Sequence, residues 1–386
     1  MLVLCFLISL CLQPFAQCTS PLFLAITMAM AAAKRRRLQE LIGIGGVSDS
    51  ALSQILESLR KNPIEEAISR QACNKAALAS ISRCLQKLSL PLVKGGEWVW
   101  HYLLPQAVLQ KSLAESSSVA EVYRNALLKR PSSSESPWSL IIYFDELTPG
   151  NALRPDNRRK TMAVYMSFAE LGPEKLCRCE FWLTIAVART SMIRQVKGGW
   201  SRMLRDILRA AFLGAENFAS GVLVYAGGPH LLFGHLSNVL ADEAALKLAF
   251  DAKGSSGLKP CIACKNVCMK GSDIATRDPS GYLVEIACSD IGRFDFATND
   301  DFYEATDFLV RSKGTMGVGA FGRLEMSAGF NHNPDGLLAD LLLRPHFRPA
   351  SSLTYDPMHC LWSNGVVGVE LHCFLDRMHL RTTFTW

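Results

Sequence analysis

Two aspartates and one pair of cysteines carry the chemistry that can be read from this chain. Asp145 ends the apolar run Trp138-Ser-Leu-Ile-Ile-Tyr-Phe144. Asp242 follows a second run, from Leu231-Leu232-Phe233 through Val239-Leu240, and Cys261-Ile-Ala-Cys264 comes nineteen residues later. Carboxylates at strand ends suit hard cations such as Mg²⁺ or Mn²⁺, which prefer oxygen ligands. Two such ions, about 3.5–4 Å apart, clamp the attacking and leaving oxygens of phosphoryl transfer on nucleic acid. A lone strand-end aspartate is more commonly a turn or helix cap, so metal chemistry requires that the two be brought together. Cys261-x-x-Cys264 supplies two of the four soft ligands of a structural zinc. The other two are sought among Cys268, Cys288, His332 and the His359/Cys360 pair, or beyond Trp386. The alternative for the pair is plain thiols on a Gly-rich turn; a redox role lacks the βαβ context it needs.

The elements that must position these groups change character along the chain. Ser48–Lys61 has the spacing of a short amphipathic helix, with Leu52, Ile55, Leu56 and Leu59 on one face. Asn62-Pro63-Ile-Glu65-Glu66 reads as a new helix start, and that helix is expected to reach Leu88. Gly95-Gly96 breaks the pattern before the aromatic cluster Trp98-Val-Trp100-His-Tyr102. Helices are expected near Gln106–Ala114 and Ser118–Leu128. Residues 131–137, rich in Ser and Pro, read as a linker between a helical region (28–130) and a catalytic core (138–386). Beyond it, Trp138–Phe144, Thr161–Phe168 and Glu180–Val187 read as strands, with a polar turn over Pro149–Asn157. Ser201–Phe212 is a helix, and Gly221–Tyr225 leads to the strand before Asp242. The order is strand with Asp, strand, strand, helix, strand, Asp at a helix start. It predicts an α/β fold of ribonuclease-H-like topology, the first three strands antiparallel and the next parallel to the first. Two aspartates 97 residues apart in sequence would then be neighbours.

With 386 residues and 49% hydrophobic content the chain can bury a substantial core. A net charge of +6 permits nucleic-acid binding without requiring it, since phosphate contacts need a local basic patch. Lys34, Arg35, Arg36 and Arg37 form one such cluster, and Arg158, Arg159 and Lys160 another. Thirteen irregularly spaced cysteines do not resemble a secreted disulfide framework and fit reduced thiols or metal ligands. Residues 1–27 are ambiguous. Leu2–Leu12 has the length of a signal-peptide core, which would send the chain to the secretory pathway, yet no Lys or Arg precedes it. Translation from Met28 or Met30 would instead place Lys34–Arg37 near the start as a nuclear address.

Asp242-Glu243, a helix, the small-residue loop Gly254-Ser-Ser-Gly257 and Cys261-x-x-Cys264 resemble the second-aspartate region of DDE-type transposases with a zinc knuckle. That group includes the CACTA, Chapaev and Transib elements and the recombination-activating recombinase. Tyr355-Asp356-Pro-Met-His359-Cys360, followed by Asn364-Gly365, is similar to a later D-x-x-H segment of the same enzymes. The resemblance implies Asp145 and Asp242 as catalytic ligands of Mg²⁺ or Mn²⁺ and Cys261 and Cys264 as ligands of Zn²⁺. Asp356 and His359 become further candidates, DNA the substrate, and a homo-oligomer a possible assembly; no small-molecule substrate is implied. In those relatives the catalytic glutamate and the completing histidines come late. Here Glu370 and Asp376 are the acids near the end, in an apolar helical stretch where a surface-facing acid is the ordinary explanation. The expectation is an incomplete, transposon-derived transposase without its final acid. The competing expectation is a non-catalytic DNA- or protein-binding remnant using Lys34–Arg37, Arg154, Arg158–Lys160, Arg189, and Arg194 with Lys197.

Overall fold

A computed structural model describes residues 79, 81–148, 157–361 and 366–377. The N-terminal apolar segment, Lys34–Arg37, the Ser48–Lys61 helix, the start of the next helix at Asn62, Arg154 and most of its loop, and Asn364-Gly365 lie outside the described residues. The chain divides into two compact units, Met1–Ser82 and Arg83–Trp386, and the sheet and its helices belong to the second.

That second unit opens with a correction. Ala79 and Ile81 are helical, but the helix does not run on to Leu88: a turn follows, then a hairpin of β1 (Leu85–Pro91) and β2 (Glu97–Leu103). Gly95 and Gly96 turn it with φ of +90° and +81°, a region that glycine enters without strain. The aromatic cluster therefore lies on a strand. Alternation buries Trp100 and Tyr102, which stack with ring centroids 5.3 Å apart. Helices α1 (Pro105–Glu115) and α2 (Ser117–Lys129) follow.

The Ser- and Pro-rich stretch 131–137 lies inside this unit. Tyr123 of α2 packs on Trp138 at 6.1 Å, and the Trp138 indole N–H donates to the Arg130 carbonyl at 2.9 Å. The Ser132 hydroxyl donates to the Phe233 carbonyl and accepts from the Phe233 N–H. A segment stitched in this way joins elements of one core, whatever its composition.

The central sheet has five strands in the order β11-β8-β3-β4-β5, with β6 and β7 (Val222–Tyr225, Pro229–Leu232) forming a separate hairpin. Strand β3 (Trp138–Leu147) pairs antiparallel with β4 (Thr161–Phe168), which pairs antiparallel with β5 (Leu183–Arg189). On its other side β3 pairs parallel with β8 (Gly234–Ala241), which pairs parallel with β11 (Leu353–Tyr355). The molecule is thus mixed α/β around a mixed sheet. The expected third strand starts three residues late, because Cys179–Phe181 forms a 3₁₀ turn.

Strict alternation on β3 decides the two faces of the sheet. Trp138, Leu140, Ile142 and Phe144 are fully buried, while Ser139, Ile141, Tyr143 and Asp145 are half-buried. Helix α3 (Gly199–Phe212) covers the first face with Trp200, Met203, Leu204, Ile207, Leu208 and Ala211, at the 3–4 residue spacing of an amphipathic helix. Phe144 meets Trp200 edge-on at 5.5 Å. Full burial of such side chains contributes roughly 1.5–3 kcal/mol each, which fixes the register of β3 and hence the face on which Asp145 emerges.

After β8, α4 (Glu243–Ala249) leads into a long excursion before the chain returns at β11. The excursion contains the paired strands β9 (Val267–Cys268) and β10 (Val284–Glu285) and helices α5 (Asn299–Ser312) and α6 (Val318–Ala328). Two last helices, α7 (Pro357–Leu361) and α8 (Val366–Arg377), follow. Among the described residues no helix is long and apolar enough to cross a membrane.

Candidate metal centre

Three parallel strands, β3, β8 and β11, end side by side, and each delivers an aspartate. The registers Tyr143↔Leu240 and Leu240↔Thr354 set Asp145, Asp242 and Asp356 at the same parity, so all three leave the sheet on its half-exposed face. Asp242 is the N-cap of α4, its Oδ1 accepting from the Ala245 N–H at 2.6 Å. Asp356 is bound to β8 through its own N–H, which donates to the Ala241 carbonyl at 2.9 Å.

The groups that converge are Asp145, Asp242 and His359, each with a ligand atom within 4.8 Å of the others. Among the described residues this is the only set of three or more Cys, His, Asp or Glu side chains so arranged. Asp356 stands behind the cluster. Its Oδ2 holds His359 Nδ1 at 2.7 Å, while its Oδ1 accepts from the Met358 N–H at 2.9 Å. With Nδ1 engaged, Nε2 is the ring nitrogen left for a metal, the carboxylate–imidazole–metal relay common in such sites. Of the two residues singled out in the D-x-x-H segment, His359 thus joins the cluster and Asp356 positions it. Glu370 lies exposed on α8, away from the cluster, and the Asp376 side chain lies outside the described residues.

Electrostatics agree with a cation site. Burial pushes the Asp145 carboxyl above its usual range, and the Asp242 charge adds to this. The Glu146 N–H, His359 and the Tyr143 hydroxyl, which donates to Asp145 Oδ2 at 3.3 Å, act the other way. Burial alone would lower His359; the hydrogen bond to Asp356 and the charges of Asp356, Asp145 and Asp242 outweigh it and raise the imidazole. Two carboxylates forced together are relieved by a divalent ion. Two oxygens and one nitrogen, with water completing the shell, suit Mn²⁺ or Mg²⁺, and the imidazole leans towards Mn²⁺.

A measurable consequence concerns Asp356. Asp356→Asn keeps the cap on α7 but puts an amide where the histidine needs a carboxylate. Mn²⁺ affinity should fall about 10–100-fold by calorimetry, with little change in melting temperature. An unchanged affinity would show that His359 is held by something else.

The cysteine pair is close but incomplete. Burial, then the neighbouring Cys261, pushes the Cys264 thiol well above its usual range. No third Cys, His or carboxylate among the described residues comes within 4.8 Å of both thiols. Cys268 donates to the Val284 carbonyl, and Cys288 to that of Asp290. His332 lies edge-on to Phe321, and His359 is turned to the acids. The described residues therefore supply two ligands of a tetrahedral zinc site and do not complete it. A cavity of about 120 Å³ adjoins the pair, lined also by Lys259, Lys265, Asp301 and Phe302. All cysteines among the described residues are free thiols, including Cys177 and Cys179.

The second basic cluster divides. Lys160 is committed to Glu146, with Nζ 2.7 Å from Oε2, while the Thr190 hydroxyl donates to Oε1. Burial alone would raise Glu146, but these hydrogen bonds and the charges of Lys160 and Arg194 hold it below the usual range. Arg158 and Arg159 are exposed in a 3₁₀ turn just before β4. Lys197 pairs with Asp335 at 3.7 Å. Sequence reasoning passed over Tyr143, Tyr165 and Glu146, whose signal was only alternation on β3 and β4 next to a nominated acid. No known family model matches the chain, and no curated protein sequence matches it.

Proposed function

We propose that the chain is a DDE-transposase-like protein with a ribonuclease-H-like core, whose site performs divalent-metal-dependent cleavage and transfer of DNA strands. The observation that carries this reading is the meeting of Asp145, Asp242 and His359 at the ends of adjacent strands, from three distant parts of the sequence. The strand arrangement supports it. Three antiparallel strands followed, after a helix, by two parallel ones on the far side of the first is the arrangement expected of a ribonuclease-H-like sheet.

Asp145, Asp242 and His359 would hold Mg²⁺ or Mn²⁺, which when bound activates the attacking water or 3′-hydroxyl and stabilises charge on the phosphodiester. The chain's own residues do the rest. Tyr143 holds the Asp145 carboxylate by its hydroxyl, and Asp356 fixes the tautomer and direction of His359. Lys160 and Thr190 hold Glu146, the neighbour of Asp145, turned to the basic edge of the sheet. An imidazole in place of a third carboxylate leaves the cluster with one negative charge fewer than a three-acid site.

The test is nicking of supercoiled DNA by residues 28–386 with Mn²⁺ or Mg²⁺, with zinc measured on the same samples. Metal-dependent nicking supports the reading. Zinc bound in a ratio of one, and lost in Cys261→Ser, would add the knuckle. Zinc without nicking would leave a folded, non-catalytic remnant; the absence of both nicking and zinc would overturn the transposase reading.

A further inference from the structure

The half-exposed face of the sheet does not end at the metal cluster. One row along β3 from Asp145, about 7 Å away at two residues per repeat, Tyr143 pairs with Tyr165 of β4. Their rings stack at 5.8 Å with planes 23° apart, and Trp182 meets Tyr143 edge-on at 5.9 Å. All three are half-buried, and the row continues into exposed Thr184 on β5. Ile141, Asn238 and Leu240 extend this face towards β8. Beyond the cluster in the other direction, Leu147, Thr161 and Arg189 form a row. Arg189 is exposed, as are Arg159 just before β4 and Arg194 just after β5. Neither Arg159 nor Arg189 has an ion-pair partner among the described residues, whereas the Arg194 charge acts on Glu146.

We propose that this face binds single-stranded nucleic acid, with Tyr143, Tyr165 and Trp182 as a stacking platform for an unpaired base beside the metal cluster and Arg189 as a phosphate contact at the sheet edge. The proposal rests on the strand-cleavage reading for the phosphate at the cluster, but the platform is a separate property of the fold. Aromatic faces accept any base, and unpaired guanidinium groups supply the complementary charge that a purely apolar partner would not require. The 7 Å between the tyrosine row and the Asp145 row lets one or two nucleotides place a base on the rings and a phosphate at the acids. Paired bases are hidden in the duplex stack, so the platform favours single strands or frayed ends.

The experiment uses a 12-nucleotide single strand carrying 2-aminopurine and the blunt duplex of the same sequence, with binding followed by anisotropy and stacking by 2-aminopurine quenching. The expected result is tighter binding of the single strand, with quenching. Tyr165→Leu should weaken it about 10-fold and remove the quenching without changing the salt slope. Arg189→Ala should keep the quenching and flatten the salt slope by about 0.7. Thr184→Glu, on an exposed position paired with Tyr165, provides the same test if Tyr165→Leu fails to fold, by placing a negative charge against the strand. Single-strand binding with unaltered quenching in Tyr165→Leu and Thr184→Glu, or equal binding of duplex without quenching, overturns the platform. Quenching without metal-dependent cleavage would sink the catalytic reading and leave the platform standing; cleavage without quenching would do the reverse.

Discussion

Asp145→Asn and Asp242→Asn should each lower metal-dependent DNA cleavage by at least about 10³-fold while leaving the metal-free protein as stable as before or more so. The two halves of that expectation come from the same geometry. Both carboxylates lie with His359 inside 4.8 Å, and Asp145 is held above its ordinary range by burial and by the charge of Asp242. Removing one negative charge relieves the other, so the metal-free fold gains where the proposed activity would be lost, an opposition common at functional sites. Asp242 makes the test sharper because it is also a helix cap. Asparagine caps as well as aspartate, so Asp242→Asn keeps the bond to the Ala245 N–H and removes only the charge. Asp242→Ala would lose both and cost about 1 kcal/mol of stability. If Asp242 were only a cap, Asn would be silent and Ala would act through stability alone. Cleavage that survives both asparagine variants, measured with melting curves on the same samples, would rule out the acidic site.

How far the sequence revealed this site depends on the kind of information each part needs. Asp145 and Asp242 were legible because each closes an apolar run whose alternation or length marks a strand, and because α3 between them has an unmistakable amphipathic period. Strand β11 was not legible. Leu353–Tyr355 is three residues long, too short to show a period, and it enters the sheet only through its pairing with β8. The role of Asp356 was hidden for the same reason: a residue after an unseen strand gives no sign of which side it leaves. The start of β1 was misread as the end of a helix because this strand alternates weakly, with Leu85 and Leu88 at a spacing a helix also allows. Tertiary packing of Leu90 and Trp100 decided between the two. The linker was misread because composition reports solvent preference and is blind to hydrogen bonds such as those of Ser132 with Phe233. Two cysteines could be seen to be close, whereas the third and fourth ligands of a metal are a property of the folded chain.

The second large effect is expected away from the cluster, at Asp251. This residue follows α4 with φ of +56°, a left-handed conformation held by its surroundings. Its carbonyl accepts from the Asn331 N–H and side-chain amide, and its Oδ1 accepts from Asn333 Nδ2 at 2.8 Å, the same amide that reaches the Gly198 carbonyl. A Cβ at Gly336 would lie 2.3 Å from Oδ2, so only glycine lets the loop close on the carboxyl. Thus Asp251 ties the end of α4 to the start of α3 and to the 331–337 loop. Burial pushes its carboxyl up to about 7, only partly offset by hydrogen bonds from Ser201 and Asn333, and no charged neighbour contributes. The folded protein therefore binds this proton more tightly than the unfolded chain does. Its stabilising contribution is complete below about pH 4, declines as pH rises through about 7, and is gone above that. At about 1.4 kcal/mol per unit, and allowing for relaxation around the charge, the loss is about 2–4 kcal/mol. Other acids, such as Asp340 and Glu325, are held below their usual range and contribute in the opposite direction. The informative quantity is thus the difference from Asp251→Asn in denaturant unfolding. The variant should gain 2–4 kcal/mol on the parent between roughly pH 4 and 8, reaching a plateau near 8. A difference that stays flat across that range would mean that the carboxyl is ionised in the folded protein at little cost, and that the junction of α3, α4 and the 331–337 loop holds without the proton.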